Sequence, residues 1–495
     1  MEKLYSLITT NEKDKKNLYI RENLHNSTGS FLCEGDVLDF VTYFNSFSIK
    51  KWKKYTTLQN VILELDIQGD FEISVSLYSS FGTKTILQEK ISNCLYRHVW
   101  SVDEIQGDIL GFSLRVLKDG GIFRGGAYYG EFLQWQNIKI GVGICTFKRE
   151  EYVLKTLDIL KKFRQNNDWM QVLVVDNGST LQEQDRKDIR IIHNRNFGGS
   201  GGFTRAMIEY VEKDQVDYVL LMDDDIVLEP SVLERSRSLL SGLKEEFKDS
   251  FLSGAMLVME RPTVQHENTA YWGKIRLHGF GKGIDLSSIK KLVDNEVVHN
   301  QVNQYGAWWY CAIPLHRIRK IGYPLPIFVK GDDMEYGIRN NKPLIHMNGI
   351  GVWHQSFTAK VSPIVNYYSD RNMLIINNFA QGCGVKTFAA AVVGRIVKRI
   401  FQRNLIGLYM LYLALKDYNT GLTGITQIGS DIKMKQLQEY SKEKISIVLI
   451  FQLMLVAIKS IFLYHKNHSD YISFRNNQLR EKNFWKKFLG IKEIK

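Results

Sequence analysis

The sequence is poor in the residues that cross-link or interrupt a chain. It has 7 prolines and 5 cysteines among 495 residues, and no two cysteines form a CxxC pair. A disulfide framework and a cysteine-based zinc site are therefore excluded as organising features, and reduced thiols are expected. With 44% hydrophobic residues the chain is expected to be globular rather than of low complexity.

A long uninterrupted apolar run is also lacking. Residues 1–16 carry charges throughout, which does not fit a secretory signal. The most hydrophobic stretch, Ile445–Ala457, falls short of a membrane span and is followed by Lys459, so a buried or interfacial helix is expected there.

Acidic residues are outnumbered by basic ones. The 65 Lys and Arg against 53 Asp and Glu leave a formal charge of 65 − 53 = +12, which favours anionic partners such as nucleic acid, nucleotide phosphates or a membrane. Because no nucleic-acid-binding motif accompanies this charge, no nucleic-acid partner is expected.

Three patterns of apolar and polar residues follow one another along the chain. Its length exceeds what a single hydrophobic core usually supports, so several domains are expected. From about Leu32 to Phe132 apolar residues alternate with polar ones, which predicts an N-terminal β-sandwich. Its aromatics, Tyr128, Tyr129 and Trp135, are either a sugar-stacking surface or core. Strands and helices then alternate, and after Tyr367 the pattern is helical. We therefore predict domains at residues 1–136, 137–366 and 367–495.

The stretch Tyr218–Ile226 is the centre of the second domain. A short apolar run, typical of a buried strand, ends at Asp223, Asp224 and Asp225. Burying unpaired carboxylates is costly, so a hard divalent cation at the carboxyl end of this strand explains them best. The alternative is a solvated turn or a helix cap.

The strands before it predict a mostly parallel α/β sheet. Strands are expected at residues 139–148, 171–176 and 190–193. The helix between the first two carries a shared apolar face of Val153, Leu154, Leu157, Leu160 and Phe163. Asp176 ends the second strand, where it either accepts hydrogen bonds from a nucleobase or ribose or caps an Asx-turn.

A glycine cluster at residues 198–202 follows the third strand. It matches the GxGxxG pattern of dinucleotide-binding folds poorly. We interpret it as a loop that lets a diphosphate or sugar approach before a helix beginning near Thr204, with Arg205 available for charge pairing.

Four segments in this order carry a specific resemblance: Cys-Thr-Phe-Lys-Arg149, Val-Asp-Asn-Gly-Ser179, Asn-Phe-Gly-Gly-Ser-Gly-Gly-Phe203 and Met-Asp-Asp-Asp225. Together they resemble the inverting GT-A glycosyltransferases of family 2, most closely the mycobacterial cell-wall galactofuranosyltransferases. The resemblance implies a GT-A domain between an N-terminal β-sandwich and a C-terminal helical region.

The resemblance also extends to residues 306–314, 324–338 and 349–355, and it implies a role for particular residues. Asp333 is the implied general base, because an acceptor hydroxyl needs a group to take its proton. The implied acceptor-binding residues are Trp308, Trp309, Asp332 and Glu267. The implied donor-binding residues are Thr146, Arg149, Asp176, Asn196, Gly198, Gly199, Asp223 and Asp224. The implied ligands of Mn²⁺ or Mg²⁺ are Asp223, Asp225 and His354.

Structural alternatives stand beside three of these roles. Asp332 and Asp333 also fit the acidic first turn of a helix, and one of the two tryptophans fits the core. A histidine that follows an apolar strand, such as His354, is often a satisfied structural residue.

The C-terminal region predicts contact with a membrane surface. Residues 388–415 interleave apolar residues with Arg395, Lys398, Arg399 and Arg403, which suits a helix laid on an anionic surface. Residues 482–489 form a small basic amphipathic helix with the apolar residues Phe484, Trp485, Phe488 and Leu489.

We therefore expect a metal-dependent inverting glycosyltransferase on the inner face of the plasma membrane. It would move galactofuranose from UDP-galactofuranose onto a lipid-linked polysaccharide. The alternatives are another nucleotide sugar, such as a glucosyl or rhamnosyl donor, or a non-catalytic carbohydrate-binding envelope protein. A homo-oligomer is compatible with the sequence.

Overall fold

The computed structural model describes residues 1–10, 12–24, 31–185, 189–357, 362–426, 433, 435–438 and 448–491. Its described N-terminal residues contain a short 3-10 helix (Lys16–Leu18), one α-helix, α1 (Ile49–Tyr55), and nine strands: β1 (Glu2–Ser6), β2 (Arg21–Asn23), β3 (Val37–Asp39), β4 (Leu58–Gln68), β5 (Asp70–Ser79), β6 (Gly82–Ser92), β7 (Leu95–Ser101), β8 (Ile109–Val116) and β9 (Ile122–Phe132).

These strands form two antiparallel sheets, in the orders β1-β9-β4-β7 and β2-β3-β8-β5-β6. Their apolar faces meet at Phe40, whose ring centroid lies 4.5 Å from that of Phe112 in one sheet and 4.9 Å from that of Phe123 in the other. The alternation seen in the sequence thus buries one face of each sheet. Tyr128 is core, packed against Tyr5 and Phe47.

The central part contains six helices: α2 (Glu150–Arg164), α3 (Gly198–Lys213), α4 (Ser231–Ser241), α5 (Ile289–Asp294), α6 (Leu315–Ile321) and α7 (Asp332–Asn340). Its strands are β10 (Ile140–Thr146), β11 (Met170–Asp176), β12 (Gln184–Asp185), β13 (Ile189–His193), β14 (Tyr218–Asp223), β15 (Phe251–Ser253), β16 (Ala255–Val258), β17 (Arg261–Glu267), β18 (Thr269–Gly273), β19 (Arg276–Phe280), β20 (Gln304–Tyr305), β21 (Tyr310–Pro314), β22 (Leu344–Ile345) and β23 (Gly351–His354).

The main central sheet has eight strands in the order β12-β13-β11-β10-β14-β21-β15-β22. Strand β10 pairs in parallel with both β11 and β14, whereas β21 runs antiparallel to β14. The α/β fold class, with an N-terminal β-sandwich and a C-terminal helical region, is confirmed. On α2, however, Leu154 is 46% exposed, so it does not share the buried face with Val153.

A smaller sheet stands beside the main one and carries part of the site. Strand β16 pairs in parallel with β23 and antiparallel with β17, so Glu267 at the end of β17 is opposite Met256 and His354 at the end of β23 is opposite Val258. Val227, just after β14, bridges to Trp353 and ties this sheet to the acidic strand end. A third sheet has the order β19-β18-β20.

The described C-terminal helices are α8 (Pro363–Asn377), α9 (Val385–Phe401), α10 (Leu405–Asn419), α11 (Thr423–Thr426), α12 (Val448–Phe462), α13 (Tyr464–Asn477) and α14 (Lys482–Leu489). Helix α10 lies among α8, α9 and α12. No single helix in the described residues has the length and hydropathy of a membrane span. The bent pair α12 and α13, which meet at 58°, passes that test by length and composition only.

Three expectations for this region are corrected. The apolar run at 388–415 is two helices, separated where Arg403 adopts a φ of 51°. Arg395 and Arg399 form ion pairs with Asp370 of α8, so they face the protein and not a membrane. Helix α14 also packs on the protein: of its four apolar residues, Trp485 and Leu489 are buried, 0% and 5% exposed, and Phe484 and Phe488 are half-buried.

The predicted domain boundaries stay predictions. Strand β9 ends before residue 136 and β10 begins after 137, while α8 begins shortly before residue 367. Of the predicted apolar stretch 445–457, residues 445–447 lie outside the described part, and the rest belongs to α12.

Candidate active site

The acidic cluster lies where β14 ends. Strand residues 218–222 are buried between β10 and β21, and the chain then turns through Asp223, Asp224 and Asp225. The Asp224 and Asp225 side chains are only 8% and 6% exposed, whereas Asp223 is 35% exposed. Three carboxylates are thus gathered at the carboxyl end of a central strand, where α/β sheets bind their ligands.

His354 joins this cluster from the end of β23. Its Nε2 lies 3.0 Å from Asp225 Oδ1 and 4.0 Å from Asp223 Oδ2. One ligand atom from each of the three residues lies within 4.8 Å of the others, so the group can hold a metal ion. The three predicted metal ligands are therefore neighbours, although 129 positions separate Asp225 from His354 in the sequence.

The imidazole of His354 is oriented for this role. Its Nδ1 donates a hydrogen bond to the Gln355 carbonyl oxygen at 2.6 Å, which leaves Nε2 to face the carboxylates. Burial lowers the pKa of His354, but Asp225 and Asp223 outweigh burial and raise it above the ordinary value. The site therefore carries strong negative potential that a cation would neutralise.

Thr146 and Arg149 hold the other side of the acidic turn. Thr146 Oγ1 donates to Asp224 Oδ2 at 2.7 Å, and Arg149 Nη1 lies 3.2 Å from Asp224 Oδ1 and 2.5 Å from Asp225 Oδ2. Arg149 is partly exposed and lines the cleft, so its guanidinium can also face a diphosphate.

Asp176 does not face the cleft. It is fully buried, and its oxygens accept hydrogen bonds from the backbone N–H groups of Gly178, Thr180 and Leu181 at 2.7–2.8 Å. The turn-capping alternative describes this residue, and the donor-binding role is corrected. Asn196, Gly198 and Gly199 do line the cleft.

The glycine cluster is the start of a helix and not a loop before one. Helix α3 begins at Gly198, whose φ is +67°, six residues before the expected start at Thr204. These glycines permit close packing: a Cβ on Gly202 would lie 2.2 Å from Cys145 Sγ, and one on Gly198 would lie 2.2 Å from the Phe328 carbonyl oxygen. The charge pairing expected of Arg205 is made with Glu209, at 2.9 Å.

Asp332 and Asp333 open helix α7, directly after Gly331 with its φ of +94°. Asp333 Oδ1 accepts a hydrogen bond from the Met334 N–H at 2.7 Å. Burial, opposed by that N–H and by Lys330, raises the pKa of Asp333 to about 6, while burial and the charge of Asp333 raise the pKa of Asp332 further. The pair is the acidic first turn of a helix, and it also faces the cleft.

A cavity of about 580 Å³ connects these groups. Asp333, Asp225 and His354 all line it, and it meets a second lobe of about 440 Å³ at Arg149 and Gly199. The metal-ligand cluster and the candidate base thus face one continuous cleft. A separate cavity of about 600 Å³ lies at the opposite, amino end of the parallel strands.

The two tryptophans have different environments. Trp308 packs against Phe203 and Tyr336 in the core; it is 4% exposed and also lines the cavity. Trp309 also lines the cavity, but its Nε1–H is donated to the Gly254 carbonyl oxygen at 2.8 Å. Trp309 therefore presents no free N–H donor to the cavity.

Glu267 enters the same cavity from the end of β17. Burial raises its pKa to about 7, opposed by Lys282 and reinforced by Asp333. A carboxyl group that exchanges its proton near neutral pH can donate or accept hydrogen bonds with sugar hydroxyls.

Sequence reasoning missed several residues that line this cavity. Phe357 packs 5.1 Å from His354 and 5.5 Å from His266, measured between ring centroids, and Lys330 lies over its ring. Tyr305 is also part of the wall. Two of these residues had a sequence signal: His266 is adjacent to Glu267, and Lys330 lies in the segment 324–338.

Two protein-family models match this chain, one in its N-terminal part and one in its central part. Residues 2–123 match the family model described as Galactofuranosyltransferase 2 N-terminal, and residues 141–284 match Glycosyl transferase family 2. Galactofuranosyltransferase GlfT2 of Mycolicibacterium smegmatis is 24% identical over 422 residues, and that of Mycobacterium tuberculosis is 24% identical over 420 residues. Each alignment covers 73% of this chain but only 62% and 63% of the respective relative, so the chain spans less than two thirds of their length.

Two solved structures give looser matches. The mannosyltransferase PcManGT from Pyrobaculum calidifontis, in complex with GDP-Man and Mn²⁺, superposes with a TM-score of 0.33 at 11% identity, covering 67% of this chain and 88% of that one. Residues 1–349 of S. aureus TarS with UDP-GlcNAc superpose with a TM-score of 0.37 at 14% identity, covering 68% and 92%. Superpositions this loose add nothing to the family matches.

Proposed function

Because the chain carries a glycosyltransferase family 2 domain behind an N-terminal domain of the galactofuranosyltransferase 2 type, we propose that it transfers a hexosyl unit from a nucleotide sugar to a glycan. The family matches confirm the resemblance seen in the sequence. One observation carries the proposal: the Asp223, Asp225 and His354 cluster and the Asp333 carboxylate line the same cavity.

The acidic cluster fits a divalent cation. Carboxylate oxygens and a neutral imidazole nitrogen suit Mn²⁺ or Mg²⁺, and the hydrogen bond to Gln355 already presents Nε2 of His354 to the site. Asp223, Asp225 and His354 would hold the ion. When bound, it would supply positive charge next to the leaving diphosphate.

Asp333 is proposed as the general base. Its ionised carboxylate removes the proton of an acceptor hydroxyl while that oxygen forms a bond to the anomeric carbon. The bond from this carbon to the diphosphate oxygen breaks at the same time, so the configuration inverts. Asp332 and Glu267 line the same cavity and would orient acceptor hydroxyls, and Trp309 would pack its face against a sugar ring.

The donor side is proposed to bind UDP-galactofuranose. Arg149, Asn196 and Gly199 line the lobe beside Asp223 and Asp224, where a diphosphate would lie. The name of the curated relatives, galactofuranosyltransferase, supports galactofuranose as the sugar.

We further propose a lipid-linked polysaccharide acceptor and a peripheral location on the inner face of the plasma membrane. Helices α9 and α12 pack together and leave a row of large apolar side chains exposed. We name this row the α9/α12 face; it consists of Val393, Val397, Ile400, Phe401, Phe451, Met454, Leu455, Ile458 and Phe462. Lys398, Arg403 and Lys459 lie on the same segments. An apolar face with basic neighbours complements an anionic bilayer.

A donor panel tests the proposal. The full chain is incubated with UDP-galactofuranose, UDP-galactopyranose, UDP-glucose, a rhamnosyl donor and a synthetic lipid-linked acceptor, with Mn²⁺ or with EDTA, and products are identified by mass. We expect transfer from UDP-galactofuranose with Mn²⁺ and none with EDTA. Transfer from another donor would support the alternative sugar. Binding of glycans without transfer from any donor would support a carbohydrate-binding protein.

A further inference from the structure

A single buried amide on helix α8 holds the segment that leads into the catalytic pair. Asn372 is fully buried, and its Nδ2 lies 3.0 Å from the Ile327 carbonyl oxygen and 2.8 Å from those of Val329 and Lys330. Two N–H bonds thus serve three acceptors on neighbouring residues. The orientation of the amide is set by Arg371, whose Nε donates to Asn372 Oδ1 at 2.9 Å.

The segment it holds, residues 327–331, has an unfavourable backbone conformation. Phe328 and Lys330 have φ angles of +74° and +66°, in the left-handed region that residues with a Cβ avoid. Such conformations persist only where surrounding contacts hold them, and they cluster at functional sites. Arg371 adds a further contact, because its Nη2 donates to the Ile327 carbonyl oxygen at 2.8 Å.

The same segment connects the two sides of the cleft. The Phe328 carbonyl oxygen accepts a hydrogen bond at 3.0 Å from the N–H of Ser200, in the first turn of α3 beside the donor lobe. At its other end, the Gly331 carbonyl oxygen accepts a hydrogen bond at 2.8 Å from the N–H of Glu335. This bond closes the first turn of α7, the helix that carries Asp332 and Asp333. Helix α8 is close to this end as well, since a Cβ on Gly331 would lie 2.9 Å from Ile376 Cδ1.

We propose that Asn372 is a positioning residue for Asp333: by holding residues 327–331 it sets where the base carboxylate lies relative to the donor lobe. The proposal rests on the proposed glycosyl transfer and goes beyond it. It gives the C-terminal helical region a part in the chemistry, in addition to any contact with a membrane. Neither the acidic motif at 332–333 nor the apolar pattern of α8 predicts that Asn372 contacts residues 327–331.

The test compares two isosteric substitutions on one helix. Asn372→Asp keeps the shape and replaces the donating NH₂ by an oxygen that faces three carbonyls. Asn377→Asp is the matched control, because Asn377 is 1% exposed and its Nδ2 donates to the Lys274 carbonyl oxygen at 2.7 Å, away from residues 327–331. Both variants bury a carboxyl group in α8, so the cost of burial is similar.

For Asn372→Asp we expect kcat to fall by about 10- to 100-fold, as misplacement of a reacting group by about 1 Å does. The KM for the donor should change less than kcat, although Phe328 and Val329 also line the donor lobe. Hydrogen–deuterium exchange should rise in the peptide covering 326–334. In Asn377→Asp, kcat and exchange at 326–334 should stay at wild-type levels. If Asn372→Asp does not fold, Asn372→Ser, which removes the same donors without adding charge, is judged by the same criteria.

Two results would overturn the proposal: wild-type kcat in a folded Asn372 variant, or an equal loss of kcat in Asn377→Asp. Failure of the proposed function is a separate outcome. If the wild type transfers no sugar from any donor, the exchange measurement still reports whether Asn372 holds residues 327–331.

Discussion

Asp333, the proposed base, lies where the start of a helix meets the cavity. It stands in the first turn of α7, where the helix dipole and the Met334 N–H favour its ionised form. Burial acts in the opposite direction and prevails, so the pKa rises to about 6. A carboxylate with a raised pKa is a stronger base that is still ionised at neutral pH, which is the compromise general-base catalysis requires.

Replacing this base removes proton acceptance while leaving the donor lobe intact. For Asp333→Asn we expect kcat to fall by about 10²- to 10⁴-fold, with UDP affinity measured by calorimetry unchanged. Because protonation inactivates the base, wild-type kcat/KM should decline as pH falls below about 6, the value to which burial raises the pKa of Asp333. Asp294→Asn, on the exposed side of α5, is the control and should keep full activity. Normal turnover in Asp333→Asn would remove Asp333 from the mechanism.

At the scale of elements, the C-terminal helices divide into those that cover the protein and those that leave apolar residues exposed. Helix α14 belongs to the first group, with the Trp485 Nε1–H donated to the Pro324 carbonyl oxygen at 2.9 Å. Helix α12 belongs to the second: Leu453 is buried, whereas Phe462 is 81% exposed. Periodicity predicts both amphipathic faces equally well, and only the packing shows which face is already occupied.

The α9/α12 face is expected to bind anionic vesicles. The double substitution Phe401→Ser and Phe462→Ser removes its two most exposed rings, 84% and 81% exposed. Co-sedimentation with vesicles containing phosphatidylglycerol should fall, because binding scales with buried apolar area and with attraction to anionic lipid. Turnover of a soluble acceptor should not change.

Phe81→Ser provides the control for that experiment. Phe81 is fully exposed at the β5–β6 turn of the N-terminal sandwich, so its loss should leave vesicle binding intact. Equal binding by all variants would contradict the assignment. A dimer in solution that the double substitution dissociates would show that a second copy covers the face instead.

At the scale of the whole molecule, the N-terminal sandwich supports the catalytic part directly. Arg235 of α4 is 1% exposed; it donates to the carbonyl oxygen of Phe44 and, at 3.4 Å, to that of Asn348, and it lies 3.6 Å over the ring of Tyr5. Phe44 also packs against Trp353, which precedes the metal-ligand candidate His354. The orientation of β23 therefore depends on residues of the first domain.

Breaking this contact should destabilise the whole chain. Arg235→Met keeps the apolar stem and leaves the carbonyls of Phe44 and Asn348 without their donors, which costs about 1–3 kcal/mol of unfolding free energy. Chemical denaturation followed by tryptophan fluorescence measures the change. Arg319→Met is the control, because Arg319 forms an exposed pair with Asp214 that should contribute about 1 kcal/mol or less. Equal stability of the two variants would show that the domains are only loosely joined.

The sequence by itself determined the elements and the kinds of chemistry they carry. Period-two alternation identified the sandwich strands, and an apolar strand ending in carboxylates identified Asp223 and Asp225, since both signals are local. The motif order carried the resemblance to family 2 glycosyltransferases, which the family matches confirm.

Only the tertiary structure decided which side chains meet and which are already satisfied. It brought His354 to Asp225 through the antiparallel bridge between Val227 and Trp353, which no local pattern encodes. It assigned the oxygens of Asp176 to backbone N–H groups and the glycines of α3 to close packing. It also brought Asn372 to residues 327–331. The reason is physical: propensity and periodicity depend on neighbours along the chain, whereas burial and hydrogen-bond partners depend on neighbours in space.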